Sequence, residues 1–185
     1  MARIPLAELG GVEPDIAEMI TGIEEATGDS TAMRVLAHRP DIVRGFVQFY
    51  WPLQTEGLLG RKEVELVRLG IAQINQCANC LNGRYQDSID EGLTEEMVAQ
   101  LPLVERSDLF TEREKAGIRF GQKMASDHWS VGDEDFARLA QHYSVPEMVE
   151  LCVLVAQFIG IGRMFAVIDA MNVDCEIPTL AAAEA

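Results

Sequence analysis

The 185 residues carry 30 Asp and Glu against 15 Lys and Arg, a formal charge of −15, and 48% of them are apolar. That charge repels nucleic-acid phosphate and anionic lipid headgroups, so neither nucleic acid nor a membrane is an expected partner, while the apolar share can fill the core of one domain. The opening "MARIPLAELGGVEPD" breaks its apolar character with Arg3, Glu8, Glu13 and Asp15, which does not fit a secretory signal and makes the cytoplasm the expected compartment.

Strand signals are nearly missing, and helix starts and stops recur along the chain. "EPDIAEMITGIEEATG" places Pro14 in a first turn, Ile16, Met19, Ile20 and Ile23 on one stripe and Gly28 at the stop, which predicts an amphipathic helix. A shorter helix is expected around Ala32–Ala37. "RPDIVRGFVQFYWPL" repeats the first pattern from Pro40, with Ile42, Val43, Phe46 and Tyr50. From Arg61 to Gln76 the apolar positions Val64, Val67, Leu69, Ile71 and Ile74 cover more than one stripe, as in a helix packed on several sides. The next helix is expected from about Cys77 to Glu91, ended by Gly92, followed by a short one in "TEEMVAQL".

"TERE", Thr111–Glu114, fits a capping box that opens a helix to about Ser126. Asp133–Tyr143 reads as another helix. "SVPE", Ser144–Glu147, is a second capping box, opening a long apolar helix to about Asn172. The most apolar run inside it, "LCVLVAQFIGIG", is twelve residues long and reads as a core helix too short to cross a bilayer. Only the tail "PTLAAAEA" looks frayed. The fold class is all-α, a single-domain helical bundle over residues 1–185, with no linker or repeat.

The chemistry-bearing stretch is "AQINQCANCLNGRYQDS", Ala72–Ser88. On a helix, Cys77 and Cys80 stand at i and i+3 and can form a disulfide. A helix N-terminus favours thiolate over thiol, so one of the two is a candidate nucleophile. Arg84, at i+4 from Cys80, falls on the same face and would favour the thiolate further. A packing pair would be expected among apolar neighbours, yet Asn75, Gln76, Asn79, Asn82 and Arg84 make the surroundings polar. Structural zinc needs a second ligand pair. None is offered: Cys152 sits in the apolar run as a core residue, Cys175 is a bystander, and His38, His128 and His142 are scattered.

"EVELVRLGIAQINQCANCLNGRYQDSIDEGLTEE" resembles the carboxymuconolactone decarboxylase and alkylhydroperoxidase D-like superfamily, with "RIPLAELGG" and "LAHRPDIVRGFVQFYWPLQTEGLLGRKEVELVRL" similar to its lead-in. The resemblance spans Arg3 to about Glu96. It implies an all-α bundle assembled as a homo-oligomer, trimer or hexamer, and peroxide reduction or disulfide exchange without a bound cofactor or metal. In the scheme it implies, Cys80 attacks a hydroperoxide or other small-molecule substrate, Cys77 resolves the sulfenic acid, and an external dithiol re-reduces the disulfide. Glu65, twelve residues before Cys77, matches the carboxylate of the family's proton relay.

Arg84 stands where redox members usually have His, and an arginine cannot accept a proton at neutral pH. Glu65 is therefore expected either to pair with Arg84 or to transfer protons, and His128 is expected to be exposed beside Trp129. Two further readings stay open: a redox-sensing or small-molecule-binding oligomer without catalysis, and an enzyme of the lactone decarboxylase type. In the last helix, Gly160 and Gly162 permit close approach, and Arg163 and Asp169 fit a subunit contact, a pocket rim or a solvated edge.

Overall fold

The computed structural model describes residues 2–170. Among these there are α-helices and short 3-10 turns but no strands. α1 (Pro14–Thr27) starts with Pro14 in its first turn and stops at Gly28, whose φ of 77° is left-handed. α2 (Thr31–Leu36) and α3 (Pro40–Thr55) follow. Ala7, Ile16, Ile20, Met33, Ala37 and Val43 pack these three elements into one apolar cluster.

α4 (Arg61–Asn75) is the axis of the second and larger cluster, packed against α8 (Glu112–Asp127) and α10 (Val145–Val167). Every residue from Glu63 to Ala72 is buried, which is why its apolar positions follow no single stripe. Both capping boxes form. Thr111 and Glu114 exchange side-chain and backbone bonds at the start of α8, and Ser144 and Glu147 do so at the start of α10.

Three boundaries differ from the sequence expectation, each for a tertiary reason. The helix expected over Cys77–Glu91 is two helices, α5 (Ala78–Asn82) and α6 (Gln86–Asp90), with Gly83–Tyr85 between them. Arginine side chains take the carbonyls that a continuous helix would use: Arg68 donates to the oxygens of Cys80 and Gly83, and Arg84 to those of Leu81 and Gly83. After α7 (Glu95–Gln100), α9 (Asp133–Leu139) ends four residues before Tyr143, because Tyr143 turns inward and places its hydroxyl against the Glu63 carboxylate. α10 ends at Val167 rather than near Asn172, which lies outside the described residues. Asp169 turns left-handed at φ 54°, and the backbone N–H of Arg3 donates to the Ile168 carbonyl.

By length and composition alone α10 is apolar enough to cross a bilayer, being longer than its twelve-residue apolar run. Here it packs on α3, α4 and α8, and its Glu150 is buried, accepting the backbone N–H groups of Leu58 and Leu59 at 2.7 and 3.0 Å. Gly57 makes room for that carboxylate: a Cβ there would lie 2.3 Å from Glu150 Oε1.

Candidate redox-active site

The site is assembled where α4 stops. Gln76 takes a left-handed conformation at φ 53°, and the N–H of Cys77 reaches back to the Ala72 carbonyl at 3.0 Å. This closure turns the chain onto α4 and buries Cys77, at 1% exposure, before α5 begins. Cys80, one turn on, is half-buried. The two form a disulfide with Cα atoms 5.2 Å apart.

Beneath the disulfide lies a buried ion pair. Glu65 and Arg68 stand at i and i+3 on α4; Arg68 Nε and one terminal nitrogen donate to the two Glu65 oxygens at 2.7 and 2.6 Å. The other terminal nitrogen donates to the Cys80 carbonyl at 2.6 Å, and a further bond reaches the Gly83 carbonyl at 3.1 Å. Burial works against the charge on Arg68, but the Glu65 carboxylate outweighs it and holds the guanidinium above its ordinary pKa. Arg61 and Arg68 lie over the Tyr85 ring, at 5.4 and 5.6 Å from its centroid. Tyr50 of α3 completes this side. Burial, helped by Tyr85 and Glu65, pushes its hydroxyl up and keeps it protonated.

Of the residues singled out from sequence, Cys77, Cys80 and Glu65 come together around one buried cation. Arg84 does not join Glu65. Its guanidinium pairs with Glu95 at 2.9 and 3.0 Å and closes the end of α5 through the Leu81 carbonyl. The expected Glu65–Arg84 pair is thus replaced by Glu65–Arg68 and Arg84–Glu95, because the break after Asn82 removes Arg84 from the helical face of Cys80. Sequence reasoning missed Arg68. Its signal was available, an arginine three residues after a glutamate inside an otherwise apolar helix, the spacing at which such pairs meet.

The remaining candidates lie elsewhere. His128 is exposed and its ring lies tilted against Trp129, ring centroids 4.7 Å apart. Cys152 is a free, half-buried thiol that burial pushes up in pKa, and Cys175 lies outside the described residues. Arg163 donates to Asn75 Oδ1 at 3.0 Å and to the Ala125 carbonyl, tying α10 to the ends of α4 and α8. Gly162 is the close approach, since a Cβ there would stand 3.0 Å from Asn75 Nδ2, whereas Gly160 faces open space. No group of three or more His, Cys, Asp or Glu among the described residues is placed to hold a metal ion. An open cleft of about 860 Å³ runs between α4, α8 and α9, but neither cysteine, nor Glu65, nor Arg68 lines it.

Residues 40–123 match the carboxymuconolactone decarboxylase family. A peroxidase-related protein from Ralstonia eutropha JMP134, described as an alkylhydroperoxidase AhpD core, is 25% identical and superposes with a TM-score of 0.73 over 94% of this chain and 93% of its own. The chain is thus similar over residues 40–123 to the carboxymuconolactone decarboxylase family, and over nearly its whole length to an alkylhydroperoxidase AhpD core. The uncharacterized protein YdfG of Bacillus subtilis (strain 168) is 26% identical over 57% of this chain and 73% of its own length. The debrominase Bmp8, as a cysteine variant in complex with 2,3,4-tribromopyrrole, shares the fold at 17% identity and TM-score 0.74, covering all of this chain and 94% of its own. The neighbours' helical fold is present here, and this chain carries the Cys77–Cys80 disulfide within it.

Proposed function

We propose that the protein is a thiol-dependent peroxidase whose Cys77–Cys80 pair reduces organic hydroperoxides and is returned to the dithiol by an external dithiol reductant. The observation that carries this reading is the unequal burial of the two sulfurs above a fixed positive charge. Cys80 is the accessible partner and Cys77 the enclosed one, which supports attack by Cys80 and resolution by Cys77.

In the reduced protein the Cys80 thiolate attacks the distal peroxide oxygen, the O–O bond breaks, and the departing alkoxide takes a proton from water to leave as alcohol. Cys80 is then a sulfenic acid. The Cys77 sulfur attacks Cys80 Sγ, the S–O bond breaks, and the hydroxide leaves with the Cys77 proton as water. Two electrons have passed from the dithiol to the peroxide. An external dithiol restores the pair by thiol–disulfide exchange at the accessible sulfur, and itself becomes a disulfide.

Arg68 supplies fixed positive charge and geometry rather than a proton, since a guanidinium does not deprotonate in proteins. Glu65, with both oxygens on Arg68, serves to aim that cation at the carbonyl of the attacking cysteine. Arg84 closes the far end of α5. We infer also that the chain assembles as a homo-oligomer, because Phe49, Trp51 and Leu58 leave large apolar groups half or more exposed around α3.

Steady-state hydroperoxide consumption with dithiothreitol, in wild type and in the Cys77→Ser and Cys80→Ser variants, tests the reading. Cys80→Ser is expected to abolish turnover. Cys77→Ser is expected to turn over poorly and to accumulate a sulfenic acid that dimedone traps on Cys80. Full turnover in Cys80→Ser, or oxidation found first on Cys152, would overturn it.

A further inference from the structure

Arg138 is a cation that the fold leaves uncommitted. The chain has 15 basic side chains for 30 carboxylates, and among the described residues eleven of the 15 sit in ion pairs. Arg3 and Arg163 bond instead to backbone or amide oxygens. Arg106 and Arg138 do neither, and Arg106 is exposed, where water solvates it. Arg138 is half-buried on α9. A guanidinium that gives up part of its water is ordinarily compensated by a carboxylate, and carboxylates are plentiful in a chain of formal charge −15. Yet Asp135, three residues before it, gives Oδ2 to Lys123 at 2.7 Å and to the Gly132 N–H at 2.9 Å, and senses Arg138 only as a more distant charge. Glu134, four residues before it, is exposed and forms no ion pair with it.

Arg138 lines the open cleft of about 860 Å³ between α4, α8 and α9, which neither cysteine enters. The other cations of the cleft are already neutralised, Arg119 by Glu105 and Lys123 by Asp135. On α8 and α4, Gln122 and Gln73 use their side-chain nitrogens on the Leu101 and Val98 carbonyls, at 3.1 and 3.4 Å. Their amide oxygens remain as acceptors, so these two helices present no unpaired positive charge to the cleft. Ile74, 37% exposed, and Pro102 add apolar lining. The cleft thus combines one uncommitted cation with apolar surface, in a volume within the ~300–1,000 Å³ of small-molecule sites.

We propose that this cleft binds a small organic monocarboxylate, with its carboxylate on Arg138 and its apolar body against Ile74 and Pro102. The site is separate from the cysteine pair and does not depend on the peroxidase reading. One uncommitted cation matches one carboxylate. A dicarboxylate would set its second charge against amide oxygens and against cations that already have partners, and an alcohol of the same length would bring no charge to Arg138. Arg138 is then the residue that selects the ligand, and the missing internal partner is the place its carboxylate takes.

Isothermal titration calorimetry of the whole chain with octanoate, octan-1-ol and suberate, a straight-chain monoacid, alcohol and diacid of equal length, tests the site. Octanoate should bind saturably, and both other ligands at least about tenfold more weakly. Arg138→Gln should weaken octanoate roughly tenfold, the loss of one charge-assisted contact at a half-buried site, and should leave the melting temperature unchanged because it breaks no bond within the protein. Raising the salt should weaken octanoate in wild type and much less in Arg138→Gln. Two further variants probe the rest of the cleft. Ile74→Asp, which places a carboxylate in the apolar lining, should abolish octanoate binding, and Glu134→Gln, which removes a competing carboxylate, should bind it at least as tightly as wild type. Octanoate that does not bind, that binds no better than octan-1-ol, or that binds Arg138→Gln or Ile74→Asp as tightly as wild type overturns the proposal. So does weaker binding in Glu134→Gln, and so does a lowered melting temperature in Arg138→Gln, which would show that the guanidinium has a partner inside the fold.

Discussion

Replacing Glu65 with Gln tests the pair on which the site is built. The change removes one charge and no volume, leaving Arg68 buried at 7% exposure with its two backbone acceptors and half of its former partner. Breaking a buried pair by removing one member costs about 3–5 kcal/mol, and the introduced amide keeps one acceptor oxygen, so the expected loss is about 3 kcal/mol. That is a large part of the ~5–15 kcal/mol by which domains are stable. Urea denaturation of the oxidised protein, with α-helical ellipticity as the signal, measures it. Adding Arg68→Met removes the stranded cation and should return the double variant to within about 1 kcal/mol of wild type, while hydroperoxide turnover stays low because nothing holds the Cys80 carbonyl. A Glu65→Gln protein within about 1 kcal/mol of wild type, or a double variant less stable than the single, would refute the buried pair. Full turnover in the double variant would refute its role at the cysteines.

Other perturbations give separable outcomes. The bonds of Ser144, together with Arg113, hold the Glu147 carboxyl at about 2 against an ordinary 4.5; a depressed folded-state pKa stabilises above the ordinary value, so this contribution should be lost as pH falls from about 4.5 to about 2. Ser144→Ala should cost about 1 kcal/mol at neutral pH and flatten that acid limb, both read from urea midpoints against pH. Gly57→Ala should destabilise by about 1–3 kcal/mol in the same assay, because its Cβ would meet both Glu150 Oε1 and the Leu53 carbonyl, and Glu150 cannot withdraw without freeing two backbone N–H groups. Arg84→Gln breaks a pair with the exposed Glu95 and the guanidinium's bonds to the Leu81 and Gly83 carbonyls, and should cost about 1–2 kcal/mol. Thiolate absorbance of reduced Cys80 should titrate as in wild type in that variant, and a rise on the order of one pKa unit would return the thiolate-stabilising role to Arg84.

The helices were legible wherever their ends are signalled locally. Pro14 and Gly28 bound α1, and Thr111 with Glu114 and Ser144 with Glu147 open α8 and α10, because capping chemistry is complete within four residues. The break at Gly83 was not legible in the same way. It depends on arginine donors that take carbonyls of the segment, one of them from a helix fifteen residues earlier, and no periodicity within Cys77–Glu91 records that competition. The stop at Val167 is similar. Asp169 turns left-handed without a glycine or proline to announce it, and the N-terminal Arg3 backbone holds the neighbouring carbonyl. Cys77 and Cys80 declared themselves by spacing, and Glu65 by resemblance; the partner of Glu65 required knowing which arginine shares its helix face.

The two glutamates of α4 separate structural from functional charge within one helix. Glu63 is saturated inside the fold: Arg113 donates to both of its oxygens, the Tyr143 hydroxyl reaches one of them, and Arg113 continues to the His142 carbonyl and to Glu147. Every partner there belongs to α8, to the turn before α10 or to the first turn of α10, so the network locks helices together. Glu65, two residues on, gives both oxygens to a cation whose remaining donors go to the carbonyls of Cys80 and Gly83. Those carbonyls lie in the short segment that must accommodate the sulfur pair as dithiol and as disulfide. A buried ion pair is weak support for stability in general. One that extends from the central helix to the backbone of a disulfide-bonded cysteine is better explained by the redox chemistry proposed for that segment.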